Sequence, residues 1–479
     1  MDRLRRARVS AGAALVLVLA AGGCSSPAGQ ARAAASAGPA VADCLTHALC
    51  YAPRQFRVAY GIQPLLDAGI DGRGQTVVLL EFAATAPASP PVVTDIRQDL
   101  ARFDSLFGLP AARLAIVNSL ARSAAPWLAS EEEVEDTEIV HAAAPGAAIR
   151  EVLISDAAQD SPANASADVA AALRLGLTQG AVISFSRSWG EQCFTAAEVT
   201  QLNSALQAAR NHDVTVVNSS GDLGAASNPC PGAAAVFPSV KGVNLLDSDP
   251  LTLAAGGTSL QANRATGAYV RETVWNTPAG QSGLGFTVSS GGGFSQVFPR
   301  PAYQDGVPGI GATRAVPDVA ADADGNTGMA MALSEGSQHY VLAGTSGTSA
   351  AAPLWAAVIA LAGQYAGRPL GFVNPAIYRI GRSPASRKAF HDITTGTNTV
   401  QLTPRWPSPS PATTPHPAGT RPPAGEAPTR RRSSPCSPAP PAPEPTQRNP
   451  ATAVSHKAVL PDSVKENQSG HRRPAWSAA

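Results

Sequence analysis

The sequence predicts an α/β fold in which a central, mostly parallel sheet lies between two layers of helices, and three observations carry that prediction. Apolar runs of strand length recur: TVVLLEF from residue 76, AAIREVLI from 147, AVISFSRSW from 181, VTVVNSSG from 214 and LTLAAGG from 251. Segments of helical period alternate with them, among them TDIRQDLARFDSLFG, ASADVAAALRLGLTQG and TAAEVTQLNSALQAARNHD. The strands lack the polar alternation of a sheet with one wet face, so both faces must be covered. Parallel strands need crossover connections, and helices supply them. Thr94 and Thr195 are the expected N-caps of the first and last of these helices, because a hydroxyl there accepts from an N–H that the first turn leaves unpaired. Ligands in such sheets gather at the carboxyl ends of the strands, so chemistry is sought there first.

Of the 479 residues, 44% are hydrophobic and 15% charged, which suffices for one large core with chain left over. Thirty-six Lys and Arg against 35 Asp and Glu leave a net charge of +1, so no global field favours nucleic acid or an anionic membrane. Residues 1–24 read as an export signal: the basic MDRLRRARVS precedes the apolar AGAALVLVLAAGG, which is too short for a permanent membrane span. Cys24 follows Ala21, Gly22 and Gly23 and precedes Ser25 and Ser26, the layout of a bacterial lipoprotein cleavage site. A lipid anchor at Cys24 is one reading, and cleavage near the later ARAAASAG with release of the product is the other; both take the chain out of the cytoplasm. Residues 25–43, rich in Ala, Gly and Ser, read as a linker. From 401 to 479 proline, arginine and serine replace any hydrophobic period, which predicts a disordered tail.

An oxidising compartment makes cysteine pairing the default, and the expected pairs are Cys44 with Cys50 and Cys193 with Cys230. The histidines, His141 and His391 among them, are scattered singly rather than at metal-ligand spacing, which argues against a zinc enzyme.

Three segments can carry chemistry. HYVLAGTSGTSAAAPLWAAVIALAG reads as strand, turn and apolar helix, so a serine at the turn meets the positive end of a helix. Ser349, unlike Ser346, is followed directly by AAAP and the helix; capping that helix is the structural alternative to nucleophilic attack. ASEEEVEDTEIVHAAAPGA supplies acids in place of a recognisable histidine base, with Glu132 and Asp136 four apart on one helical face. Two such carboxyls can share a proton, Asp136 orienting Glu132. The structural alternative is a capping box of Ser130 and Glu133 at a helix start that favours acids. His141 lies nearby, but nothing in the sequence sets it against Ser349. VTVVNSSGDLGAASN ends a buried strand at Gly221 and Asp222, where an acid can bind calcium, cap a helix or, when protonated, donate to an oxyanion.

Taken together, these segments resemble the sedolisin (serine-carboxyl peptidase) family, over about residues 51 to 397. The resemblance rests on Gly347-Thr348-Ser349-Ala350 with Pro353, on Glu132, Asp136 and Glu138 ahead of Ala144-Pro145-Gly146-Ala147, and on Ser219-Ser220-Gly221-Asp222. It extends to YGIQPLLDAGIDGRGQT, to Ser188-Trp189-Gly190, to ETVWN from 272, to SSGGGFSQVFPRPAY from 289 and to PDVAADADGNTG from 317.

The resemblance implies a subtilisin-like three-layer fold around a central, mostly parallel sheet, with the peptidase domain at 44–400 and incomplete at its C-terminal end. It implies Ser349 as nucleophile, Glu132 as base, Asp136 as its support and protonated Asp222 as oxyanion donor. Glu81 and Trp189 would extend the network around Asp136, and main-chain groups of Ser188, Gly190 and Gly291 would hold an extended polypeptide substrate. A glutamate base still accepts a proton where histidine is already charged, and an aspartic acid donates only while neutral, so the expected activity is acidic. No organic cofactor is implied. A family calcium site would begin at Asp392 and the Ile393 carbonyl, but the Pro-rich tail stands where its remaining ligands belong, leaving half a site. The leading reading is therefore a secreted or lipid-anchored acid endopeptidase, and the second a catalytically impaired relative that binds without cleaving.

Overall fold

Seven parallel strands form the middle of the molecule: β1 (Thr76–Ala83), β2 (Arg113–Val117), β3 (Ala148–Ser155), β4 (Val182–Phe185), β5 (Thr215–Ser219), β6 (Leu253–Ala262) and, after the antiparallel β7 (Tyr269–Val274) that pairs with β6, β8 (Val319–Asp322). With β9 (Phe390–Asp392) and β10 (Val454–His456), the order across the sheet is β9-β10-β8-β6-β5-β4-β1-β3-β2. These elements come from a computed structural model, which describes residues 43–46, 50–83, 96–118, 129–233, 240–335, 339–401 and 454–456. The export signal with Cys24, the linker as far as residue 42, the cap expected at Thr94 and most of the stretch 401–479 lie outside the described residues.

The five apolar runs picked out in the sequence become β1, β3, β4, β5 and β6. Alternate residues of β1 separate two cores, as a period of two requires. Val77 and Leu79 face a layer holding α2 (Glu131–Ala143) and α5 (Thr348–Ala366), whereas Val78, Leu80 and Phe82 face α3 (Pro162–Leu175) and α4 (Ala196–Asn211). By the same parity, Glu81 is turned toward the α2 and α5 layer. Helix α1 (Ile96–Phe107) lies beyond α2 and buries Ile96 in a small cluster with Val134 of α2.

Local chemistry explains the helix starts. Thr195 caps α4, accepting from Glu198 N while Glu198 reaches back to the Thr195 N–H, a complete capping box. Helix α3 begins earlier than its sequence pattern suggested, because Ser161 accepts from Asn164 N and Pro162 fits the first turn. Both expected disulfides form, Cys44–Cys50 and Cys193–Cys230.

Within the stretch 401–479, Val454–His456 pairs in parallel with β8 and antiparallel with Phe390–Asp392 as a sheet strand. Backbone pairing needs no apolar side chains, which is why composition did not reveal it.

Candidate active site

A hairpin strand, His339–Gly344, feeds Thr345, Ser346 and Gly347 into the start of α5. Gly347 has a φ of 82°, and a Cβ on it would lie 2.9 Å from Asp222 Oδ2, so glycine is required for both conformation and space. Ser349 is the second residue of α5 and 9% exposed. Ser346 belongs to the loop ahead of it, and its N–H donates to Glu135 Oε1 at 3.1 Å. Four residues on, Pro353 has no N–H to offer the Ser349 carbonyl, and the Ser186 hydroxyl reaches that carbonyl at 3.4 Å instead.

Ser186 follows the carboxyl end of β4 and links the nucleophile to the acids. Its carbonyl accepts from Ser349 Oγ at 3.4 Å, and its own Oγ donates to Asp136 Oδ2 at 2.6 Å. Asp136 has no exposed surface and hydrogen-bonds Glu81. Two buried carboxyls in contact cannot both ionise, so the pair shares a proton. Burial, then the charge of Glu132, pushes Asp136 well above the usual carboxylate range; burial, then Asp136, does the same to Glu81.

Glu132, one turn before Asp136, is partly exposed, with Arg187 Nη2 at 4.0 Å from its Oε2. Its Oε1 is shielded and has no hydrogen-bond partner among the described residues. Ser349 Oγ is thus turned toward Ser186 O and not toward Glu132. The capping alternative is half realised: Ser130 Oγ accepts from Glu133 N at 3.2 Å, while Glu133, Glu135, Asp136 and Glu138 are all buried, unlike the solvated start of a surface helix.

Asp222, just past β5, accepts from Thr348 N and Thr348 Oγ1 through Oδ1, each at 2.8 Å. Burial raises its pKa, against the lowering effect of those Thr348 hydrogen bonds. Its Oδ2 faces Gly347. Ser349, Ser186, Asp136, Glu81 and Asp222 therefore meet where β1, β4 and β5 end, as expected of parallel sheets.

Other sequence-predicted residues fall as follows. The Ser188 carbonyl accepts from Asn228 Nδ2 at 2.9 Å, Gly190 N donates to Asn228 O at 3.1 Å and Gly291 N to Gly221 O at 2.6 Å, so these main-chain groups are engaged inside the protein. Trp189 sits edge-on to Phe82 and Phe194. His141 is buried against Asp104 of α1, with Nε2 2.9 Å from Oδ1, which removes it from the serine. Asp392 and Ile393 stand at the sheet edge; among the described residues no group of three or more His, Cys, Asp or Glu is arranged to hold a metal. One carboxylate and one carbonyl fall short of the roughly six to eight oxygens calcium takes, so no role is derived for a metal. Sequence reasoning missed Ser186, Arg187 and Glu135. The run of acids flagged Glu135 only as one of many, and nothing flagged Ser186.

The buried acids set a pH dependence of stability. Glu81, Glu135, Asp136, Glu138, Asp247 and Asp322 are all held well above the usual carboxylate range, with burial the largest cause in each. An acid whose folded pKa is raised stabilises the fold fully below its unfolded value, and that contribution is lost as pH rises through the folded value. Each unit of such a shift is worth about 1.4 kcal/mol. Buried His141, whose pKa burial lowers, acts oppositely, but it is one group against six. Calorimetry should find the domain melting at least about 5 °C higher near pH ~4.5 than near pH ~8. A melting temperature that climbs steadily with pH would show that these acids ionise in the fold without penalty.

The parallel α/β sheet has the layers of a subtilisin-like fold, and its carboxyl ends bring a helix-start serine together with acids. The relatives agree with that class. The chain is 31% identical over 345 residues to kumamolisin of Bacillus sp. (strain MN-32), covering 69% of this chain and 55% of kumamolisin. It is 30% identical over 271 residues to sedolisin of Pseudomonas sp. (strain 101), covering 56% and 43%. The solved structure of Pseudomonas sedolisin, a serine-carboxyl proteinase complexed with pseudo-iodotyrostatin, superposes with a TM-score of 0.58 at 24% identity over 73% of this chain and 89% of that one, which shows the shared fold. No family model matches the chain. The chain carries a sedolisin-family catalytic domain with a subtilisin-like fold. It spans about half the length of the curated relatives it matches.

Proposed function

We propose that this chain is an exported serine-carboxyl endopeptidase that hydrolyses peptide bonds at acidic pH through an acyl-enzyme on Ser349. The observation that carries this reading is the chain of contacts from Ser349 through Ser186 to the proton-sharing pair Asp136 and Glu81. Substrate binding turns the Ser349 hydroxyl from Ser186 O, a long bond at 3.4 Å, toward Glu132. Catalytic hydrogen bonds are often loose before substrate arrives and tighten in the complex. Ser349 Oγ then bonds the scissile carbonyl carbon while its proton passes to Glu132, and protonated Asp222 donates to the developing oxyanion. Collapse breaks the C–N bond as Glu132 returns the proton to the leaving amine, and water repeats the sequence to free Ser349. Asp136 supports Glu132 across one helical turn. The segments holding Ser188, Gly190 and Gly291 are the proposed substrate rim. Two disulfides support export to an oxidising compartment.

A single observation favours the impaired-relative reading: Ser349 Oγ faces a carbonyl rather than a carboxylate. Incubating the purified chain with denatured casein from about pH 3 to pH 8 separates the two. Cleavage confined to the acid side is expected. A folded protein that cleaves at no pH leaves the impaired relative as the surviving reading, and cleavage strongest at neutral pH removes protonated Asp222 as the oxyanion donor.

A further inference from the structure

We propose that Glu135 is a positioning residue for the nucleophile: its buried carboxyl holds the Ser346 N–H, so that Glu135 and Asp222 together clamp the turn that presents Ser349. The proposal rests on the peptidase reading above and adds a residue to its machinery.

Three successive N–H groups lead into Ser349, and each is held by a different part of the fold. Ser346 N donates to Glu135 Oε1 of α2 at 3.1 Å, Gly347 N to the Ala323 carbonyl just past β8 at 2.8 Å, and Thr348 N to Asp222 Oδ1 just past β5 at 2.8 Å. Two of the three acceptors are carboxyls. Glu135 stands three residues after Glu132 and directly before Asp136, so the helix that carries the acids also grips the loop that carries the serine. A shift of α2 against α5 would strain that bond, so the Glu135 contact resists changes in the separation of base and nucleophile.

Stability alone does not account for an acid here. Glu135 is 5% exposed, and burial, then the charges of Glu132, Asp136 and Glu131, push its pKa well up. An apolar side chain would fill the place without that cost. What an apolar side chain cannot do is accept the Ser346 N–H. In the protonated form the carboxyl still accepts through its carbonyl oxygen, so the grip persists across the acid range.

The test compares the full chain with Glu135→Leu, Glu135→Gln and Glu135→Asp. It measures kcat and KM on a peptide, with active sites counted by a serine-directed phosphonate, and amide hydrogen exchange across Ser346–Ser349. Leucine removes the acceptor and aspartate withdraws it by one methylene, so both should lower kcat at least about tenfold with KM changed less than about twofold, and quicken exchange at Ser346. Glutamine keeps the acceptor and should stay within about threefold of the parent in kcat, with parental exchange. A role in stability alone would lower the melting temperature of every variant while leaving kcat per active site and exchange in the turn unchanged, and would overturn the proposal; so would a glutamine variant as impaired as leucine. Should leucine prevent folding, the aspartate and glutamine variants decide by the same criteria. If the parent chain cleaves no peptide, the peptidase reading has failed on its own, and the exchange comparison still decides whether Glu135 holds the turn.

Discussion

Ser349→Ala will abolish peptide cleavage and labelling by a serine-directed phosphonate, with an expected loss of kcat on the order of 10⁶, the scale found when a nucleophile acting in concert with its base is removed. The hydroxyl is the only atom of the side chain lost, and the surrounding bonds argue that the fold survives. Ser349 Oγ makes one long contact, to Ser186 O, and Ser186 Oγ keeps its stronger bond to Asp136. The variant should therefore melt like the parent while losing all turnover. Glu132→Gln should cost nearly as much, because the glutamine amide cannot take the proton, and the double variant should be no worse than Ser349→Ala alone, since the two groups act in one step. Full additivity of the two losses would mean that Glu132 acts apart from Ser349. Residual cleavage by Ser349→Ala at more than about a hundredth of the parent rate would falsify the acyl-enzyme on this serine.

Asp222 offers the second large effect. Asp222→Ala removes the oxyanion donor and should lower kcat by about 10²–10³ with KM little altered, because the interaction is made chiefly in the transition state. Asp222→Asn is the sharper variant. Its amide oxygen can keep the two bonds from Thr348 N and Thr348 Oγ1, and its NH2 then occupies the place of Oδ2 beside Gly347. Aspartic acid donates only while protonated. Burial raises its pKa and so extends the donor form upward in pH, and activity falls as pH climbs through that raised value. An amide donates at every pH. A pH profile of kcat should therefore lose its alkaline fall in Asp222→Asn while retaining it in the parent. If the fall persists unchanged, the titrating group is another, with the shared proton of Glu81 and Asp136 the next candidate.

Much of this protein could be read without its structure, for identifiable reasons. Strands buried on both faces must be apolar throughout and helices on such a sheet must be amphipathic, so residue order alone determined the three-layer α/β architecture, and β1, β3, β4, β5 and β6 stand where the apolar runs lie. The position of Ser349 at a helix start was legible because glycine, a hydroxyl and an apolar helix in that order specify one. The position of Asp222 just past a buried strand was legible from the apolar run that precedes it.

The carboxyls of α2 were legible as a group and illegible as individuals. Glu131, Glu132, Glu133, Glu135, Asp136 and Glu138 look alike in a sequence, and which of them is buried depends on how the helix is rotated against α5 and the sheet. Tertiary packing alone placed Asp136 on Glu81, Glu135 on the Ser346 N–H and Glu132 beside Arg187. It also put Ser186 between acid and nucleophile, a position fifty residues from Asp136 and 163 from Ser349 along the chain. Sequence determines periodicity, caps and cysteine content because these are local properties of a chain. The proton-sharing pair and the grip on the nucleophile turn are set by distances between elements far apart in the chain, and by the loss of water around them, and those exist only once the layers have closed.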